Sequence, residues 1–213
     1  MDFLPPKIDE YVVAHSQPEP EILQALSKET WQKILQPRML SGHLQGRVLS
    51  MLSKLISPKY ILEVGTYTGY ATLCLAEGLQ PNGAIHTIDI NEELYDFQRR
   101  YFNMSGWGDQ IIQHIGNGLD IIPTLDVSFD LVFLDADKNN YPNYLDLILP
   151  KISSGAVILS DNVLWSGKVV APVDENDEHT KALLIYNKIL NEHPRLETVV
   201  LPIRDGLTIS RVR

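Results

Sequence analysis

A single cysteine, Cys74, leaves the 213-residue chain with no internal disulfide, which fits a reducing compartment. It lies in the apolar run Ala71-Thr72-Leu73-Cys74-Leu75-Ala76, where packing rather than catalysis is expected of it. Apolar runs are short, and none reaches the roughly 20 residues of a membrane-spanning helix. The opening Met1-Asp2-Phe3-Leu4-Pro5-Pro6 lacks the basic stretch and apolar run of a secretory signal. A cytoplasmic protein without membrane contact is the expectation. Basic residues are scarce: Lys and Arg number 18 against 27 Asp and Glu, a formal net charge of -9. That balance disfavours nucleic acid as a substrate; tRNA would need a local patch assembled from distant residues. The one short basic cluster, Arg99-Arg100, falls in a predicted helix and reads as a solvated face. The histidines show no metal-ligand spacing. There is no internal repeat and no low-complexity segment.

At 44% hydrophobic and 21% charged residues, the chain can bury one substantial core. A single domain over 1–213 is expected, with an N-terminal arm and helices over 1–57 and a nucleotide-binding core over 58–213. Residues 1–15, with two prolines and mixed polarity, read as an arm. A helix follows from about residue 21, with Ile22, Leu23, Leu26, Trp31, Ile34 and Leu35 as its stripe and Pro37 as its end. A second spans 42–56, with Leu44, Val48, Met51, Leu52, Leu55 and Ile56 on one face, and Ser57-Pro58 breaks it. From residue 60 the pattern alternates. Strands are expected over 60–64, 85–90, 111–115, 131–134 and 156–160, with helices over 69–77, 92–103, 119–125 and 141–149. Such alternation predicts a parallel sheet covered by helices on both faces. The end departs from it. A helix over 179–192 precedes two apolar runs, 196–201 and 207–212, joined through Arg204-Asp205-Gly206. Asp-Gly between apolar runs signals a hairpin, so the last of seven strands should be antiparallel.

Two strands run into polar side chains of one kind. The strand over 131–134 meets Asp135, Ala136, Asp137 and Lys138; the strand over 156–160 meets Asp161-Asn162. Carboxyl ends of parallel strands face the ligand crevice. Two carboxylates and an amide carbonyl are hard oxygen ligands suited to Mg²⁺ or Ca²⁺, and Lys138 is a candidate proton acceptor beside such an ion. Each feature alone has a bland reading: Asp135 as a helix cap, Asp161-Asn162 as a turn. Upstream, Glu63-Val64-Gly65-Thr66-Tyr67-Thr68-Gly69 forms a glycine turn. It lacks the middle glycine of G-x-G-x-x-G and a Walker lysine, so it suits a nucleoside without a diphosphate better than NAD or ATP. Asp89 lies about 20 residues on, where a carboxylate can accept ribose hydroxyls. Asn91 is the better helix cap there, which frees Asp89. Gly116-Asn117-Gly118 either flanks a base ring or forms an ordinary turn.

Glu63-Val64-Gly65-Thr66-Tyr67-Thr68-Gly69-Tyr70, Asp89, Leu134-Asp135-Ala136-Asp137-Lys138, Asp161-Asn162-Val163-Leu164-Trp165-Ser166-Gly167 and Asp205-Gly206-Leu207-Thr208 together resemble the cation-dependent O-methyltransferases. These are the caffeoyl-CoA and catechol types and their bacterial relatives, S-adenosylmethionine-dependent class I enzymes. The resemblance runs from about Met39 to the C-terminus. It implies a class I methyltransferase fold: Rossmann-like, seven strands, mostly parallel, the last antiparallel. It implies Asp135, Asp161 and Asn162 as ligands of a divalent cation (Mg²⁺, or Mn²⁺ or Ca²⁺), and Lys138 with Asp135 as the catalytic pair. Around the cofactor it implies Glu63, Gly65, Thr66, Tyr67, Gly69 and Tyr70 from the glycine turn, then Asp89, Gly116, Asn117, Asp135 and Asp137. Met39 and Ser41 would cover the methionine moiety, and Met39, Lys138 and Trp165 would meet the substrate. Three positions depart from the usual residues: Tyr70, often serine in plant members; Ala136, bulkier in catechol enzymes; and Asn117-Gly118, usually small and apolar.

The implied reaction moves a methyl group from S-adenosylmethionine to a hydroxyl of a catechol-like or other vicinal-hydroxyl acceptor, a small phenol. Hydroxylated uridine in tRNA is a second acceptor class, and a non-catalytic cofactor-binding protein is a third reading. Trp165 would either stack on the acceptor or pack in a core or interface. The resemblance also implies a homodimer, to which the apolar Phe3, Leu4, Tyr11, Val12 and Trp31 of the N-terminal segment are suited.

Overall fold

The computed structural model describes residues 5–213; Phe3 and Leu4 lie outside the described residues. Seven strands form one sheet: β1 (Tyr60–Val64), β2 (Ala84–Asp89), β3 (Ile111–Ile115), β4 (Phe129–Leu134), β5 (Ile152–Asp161), β6 (Leu196–Leu201) and β7 (Leu207–Val212). Their order is β3-β2-β1-β4-β5-β7-β6. The pairs from β3 to β5 are parallel, and β7 is antiparallel to both of its neighbours. The hairpin expected at Asp205-Gly206 is present, with Leu201 paired to Leu207.

The central strands are buried on both faces, so they read as continuous apolar runs. Ile61, Leu131 and Phe133 join the core on one side; Leu62, Val132 and Leu134 join the other. The first side is covered by α2 (Glu21–Lys33), α3 (His43–Ile56), α4 (Tyr70–Ala76) and α5 (Tyr95–Met104), the second by α6 (Gly118–Ile121), α7 (Tyr141–Ile148) and α8 (Glu178–Glu192). Leu26, Leu49, Phe102, Leu145 and Leu190 are fully buried, each worth about 1.5–3 kcal/mol of burial. Cys74 is buried in the first core. The connections reverse direction between β1 and β4, the place where an open α/β sheet forms its ligand crevice.

Four expectations need correction. Residues 1–15 are not simply an arm, because α1 (Pro6–Ala14) is a helix. Proline suits a helix's first turn, where its missing N–H costs nothing, and the N–H groups of Ile8 and Asp9 donate to Pro5 O. Helix α2 stops at Lys33 rather than at Pro37, and Ile34 is already extended. Leu35 is 89% exposed and Trp31 58%. The helix expected over 119–125 is α6 followed by a 3-10 turn at Ile122–Thr124, because Pro123 cannot continue an α-helix.

The fourth concerns α3. Its buried face is Gln45, Gly46, Leu49, Ser50 and Ser53, not the apolar stripe. Val48, Leu52 and Ile56 reach only the margin of the core, while Met51 and Leu55 are 59% and 76% exposed. Close approach to α4 explains the rotation. A Cβ on Gly46 would stand 2.7 Å from the Tyr70 ring and 2.8 Å from Cys74 Sγ. Ser53 Oγ donates to Leu75 O at 2.6 Å.

Candidate active site

A cleft of about 1480 Å³ opens along the carboxyl ends of the parallel strands. The turn after β1 forms its floor. Gly65 has φ +102°, and a Cβ there would stand 2.1 Å from the carbonyl oxygen of Asp135, so only glycine lets the ends of β1 and β4 approach this closely. Gly69, φ +87°, leads into α4 with no room for a Cβ against the Phe102 ring.

At the end of β2, Asp89 is fastened by backbone amides. Tyr67 N–H donates to Oδ2 at 2.6 Å and Asn91 N–H to Oδ1 at 2.8 Å. Asn91 is the cap, accepting from Glu93 N–H at 3.0 Å. Burial pushes the Asp89 carboxyl up, against the pull of its backbone N–H partners. Asn117 caps α6 by accepting from Leu119 N–H at 3.0 Å and also lines the cleft. A third wall is the segment from Ile34 to Met39, outside any α-helix. The Tyr67 hydroxyl lies 3.1 Å from Leu35 O and 3.2 Å from Gln36 O.

The polar ends of β4 and β5 are adjacent. Leu134 pairs with Ser160, so Asp135 and Asp161 are the next residues in register. Asp161 is 2% exposed. Its Oδ2 accepts from Gln45 Nε2 at 2.6 Å and its Oδ1 from Asn162 N–H at 2.8 Å. Burial, then the Asp135 charge, pushes the Asp161 carboxyl up, with Lys138 opposing. Asn162 has φ +60°, and its side-chain amide has no hydrogen-bond partner among the described residues. Lys138 is buried, with Nζ 3.1 Å from Asp135 Oδ1 and 2.7 Å from Tyr141 Oη. Asp137 is turned away from this cluster: Asn140 Nδ2 donates to it at 2.5 Å and Tyr144 Oη at 2.6 Å. Among the described residues no group of three or more His, Cys, Asp or Glu side chains is placed to hold a metal ion. The oxygen set here is two carboxylates and one amide.

Met39, Gly65, Tyr67, Asp89, Gly116, Asn117, Asp135, Asp137, Lys138, Asp161, Asn162 and Trp165 all line this one cleft. Ser41, Glu63, Thr66, Gly69 and Tyr70 stand behind it. Tyr70 is 2% exposed and its hydroxyl donates to Glu19. Glu63 is fully buried, with Oε2 accepting from Thr72 and Thr87 at 2.5 Å each. Thr66 in turn contacts Thr87, hydroxyl to hydroxyl, while Glu63 Oε1 has no partner among the described residues. Burial pushes the Glu63 carboxyl up to about 8 despite the two threonines. Trp165 packs at the margin of the second core, its ring centroid 5.9 Å from that of His179.

The cleft wall also carries Arg38, Tyr144, His179 and Arg204, and Tyr141 lies against Lys138, none of them among the expected site residues. Tyr141 and Tyr144 follow Lys138 at spacings of one helical turn, a legible signal. Nothing local marks His179 or Arg204. Arg99 is no solvated residue; its guanidinium donates to Gly108 O at 3.0 Å and Ile111 O at 3.1 Å.

The doubly wound sheet and strand-end cleft are those of a Rossmann-like α/β protein. The sequence pattern of a family described as O-methyltransferase matches residues 13–213, and the chain belongs to that family. It is 36% identical over 207 residues to caffeoyl-CoA O-methyltransferase 1 of Eucalyptus globulus, covering 92% of this chain and 82% of that protein. It is 35% identical over 202 residues to a caffeoyl-CoA O-methyltransferase of Medicago sativa, covering 90% and 80%. Among solved structures it is similar to the O-methyltransferase TomG of Streptomyces achromogenes, involved in tomaymycin synthesis and solved with S-adenosylmethionine. That likeness has a TM-score of 0.88 at 28% identity, covering 97% of this chain and 96% of the other. The O-methyltransferase of Bacillus cereus, solved with S-adenosylhomocysteine, gives a TM-score of 0.90 at 27% identity, covering 97% of each.

Proposed function

We propose that the chain transfers a methyl group from S-adenosylmethionine to one hydroxyl of a catechol-like small molecule, with a divalent cation held by Asp135, Asp161 and Asn162. The observation that carries this reading is the placement of those three residues and Lys138 in the same cleft as Gly65 and Asp89. The donor set fits a cation. Two carboxylates crowd together with Asp161 buried, the Asn162 side-chain amide has no partner among the described residues, and all three offer hard oxygen. The cofactor side fits a nucleoside, with a turn that a Cβ would close and an acidic strand end beyond it.

When bound, the cation would hold two vicinal oxygens and favour the ionised acceptor. The chain's own residues supply the rest. Lys138, with Nζ held by Tyr141 and Asp135, is placed to take the acceptor's proton. The acceptor oxygen bonds to the methyl carbon as the carbon–sulfur bond breaks, leaving a neutral thioether. Asp89, anchored by two backbone amides, fixes the ribose, and Trp165 flanks the acceptor. The test is turnover of catechols and caffeoyl thioesters with and without chelator. Activity should vanish in excess chelator and return with Mg²⁺, and Asp161→Ala should be inactive yet retain cofactor binding. Full activity in chelator would sink the cation's role. Turnover of hypomodified tRNA alone would sink the small-molecule acceptor.

We also propose a homodimer. The exposed Met51 and Leu55 of α3 leave half of an amphipathic stripe uncovered, and Tyr11 of α1 is 61% exposed. A second copy is the partner the resemblance implies.

A further inference from the structure

We infer that Gln45 is a positioning residue for Asp161, and that Arg204 sets the direction of its amide; the inference rests on the cation reading above. Gln45, in α3, is 1% exposed. An amide so buried must satisfy both of its ends. Its Nε2 donates to Asp161 Oδ2 at 2.6 Å, and its Oε1 accepts from Arg204 at 3.3 Å. A guanidinium has donors only and an ionised carboxylate acceptors only. The amide oxygen therefore has to face Arg204 and the nitrogen has to face Asp161. Turned over, the amide would set oxygen against carboxylate and NH₂ against guanidinium.

Arg204 is itself held in place. Its backbone takes φ +50° in the turn between β6 and β7, and its guanidinium donates to Leu40 O at 2.9 Å and to Ser41 O. Asp161 Oδ1 is fixed separately by Asn162 N–H. With one donor on each oxygen, the carboxylate plane is set, and each oxygen keeps a lone pair free. Tyr141 steadies the Asp161 main chain, whereas Gln45 steadies its side chain. The chain of contacts also connects the Asp161 ligand to the Leu40-Ser41 segment, which follows Met39 of the cleft wall.

The test uses Mn²⁺ as the probe, with free Mn²⁺ read by electron paramagnetic resonance on the full chain without cofactor or acceptor. Gln45→Met keeps the volume and removes the donor. It should weaken Mn²⁺ binding about 10- to 100-fold, the usual effect of removing a group that orients a ligand, while thermal unfolding shows a folded protein. Arg204→Leu should weaken binding in the same direction, because the amide loses the partner that fixes its direction. Unchanged Mn²⁺ affinity in folded Gln45→Met overturns the inference for Gln45, and unchanged affinity in Arg204→Leu overturns it for Arg204. Should Gln45→Met not fold, Arg204→Leu decides alone. Wild-type protein that binds no Mn²⁺ overturns the cation reading, and this inference with it.

Discussion

The hydroxyl of Tyr141 lies 2.7 Å from Lys138 Nζ and 3.0 Å from both Leu134 O and Asp161 O. Those carbonyls are the last of β4 and β5. A hydroxyl carries one proton, so Tyr141 donates to one strand end and accepts from the lysine. The group expected to take the substrate's proton is thus aimed by a side chain tied to the strands bearing the carboxylates.

Removing that hydroxyl tests the arrangement. Tyr141→Phe removes the one proton within reach of two buried carbonyls and one of the two acceptors of Lys138. Stability should fall by about 1–3 kcal/mol, and kcat should fall further than affinity for S-adenosylmethionine. Thermal unfolding, calorimetry and steady-state kinetics separate the effects. Wild-type kcat in this variant would show that Lys138 needs no anchor.

Gly65→Ala places a Cβ 2.1 Å from the Asp135 carbonyl oxygen at φ +102°, whereas Gly106→Ala at φ +83° meets nothing within 4 Å. The second change costs only left-handed strain, about 1–2 kcal/mol. The first adds displacement of β1 from β4 and should cost about 1–3 kcal/mol more while abolishing cofactor binding. Denaturant melts of both variants, with cofactor titrations, check the difference. Equal losses would mean the strand ends accommodate the methyl.

Two carboxyls set opposite pH limits on stability. Glu63 keeps its proton in the folded state up to about 8 against an ordinary 4.5, so the folded protein binds the extra proton between those values and stability falls as pH rises through that window. Glu77 is pushed up by burial but pulled further down, to about 2, by hydrogen bonds from Arg47, Lys54 and Ser50. Its contribution is complete above the unfolded value of 4.5 and is lost as pH falls towards 2. Glu63→Gln should flatten the alkaline side of a Tm-against-pH curve and leave the acid side alone; Glu77→Gln should do the reverse. Parallel curves for either variant and wild type would contradict the assignment.

Light scattering should give the wild-type chain the mass of a dimer at micromolar concentration. Met51→Glu with Leu55→Glu alters only exposed positions of α3 and should yield a folded monomer. A wild-type monomer, or a dimer that survives both substitutions, would remove that face from the proposal.

Much of this was legible in residue order. All seven strands, the reversal at Asp205-Gly206 and the acidic strand ends follow from period, turn chemistry and the sidedness of parallel sheets. The face of α3 did not. Helical period finds an apolar stripe, but packing against α4 at short distance selects Gly46 and Ser53 over Met51 and Leu55. Gln45 gave no signal, because its partners lie 116 and 159 residues away and a glutamine in a helix is unremarkable locally. Met39 and Trp165 line the cleft, whereas Tyr70 is buried against Gly46 with its hydroxyl on Glu19.

The sheet order carries a consequence for biosynthesis. β7 is made after β6 yet lies between β5 and β6. Until β7 emerges from the ribosome, β5 is an open edge with unpaired amides and β6 has no neighbour, the kind of edge that recruits other chains. Arg204, just ahead of β7, arrives equally late at Leu40 and Ser41. Sheet and cleft therefore share one dependence on the last stretch of chain: cut short before Arg204, the protein would keep β5 as a bare edge and lose the guanidinium that holds Leu40 and Ser41.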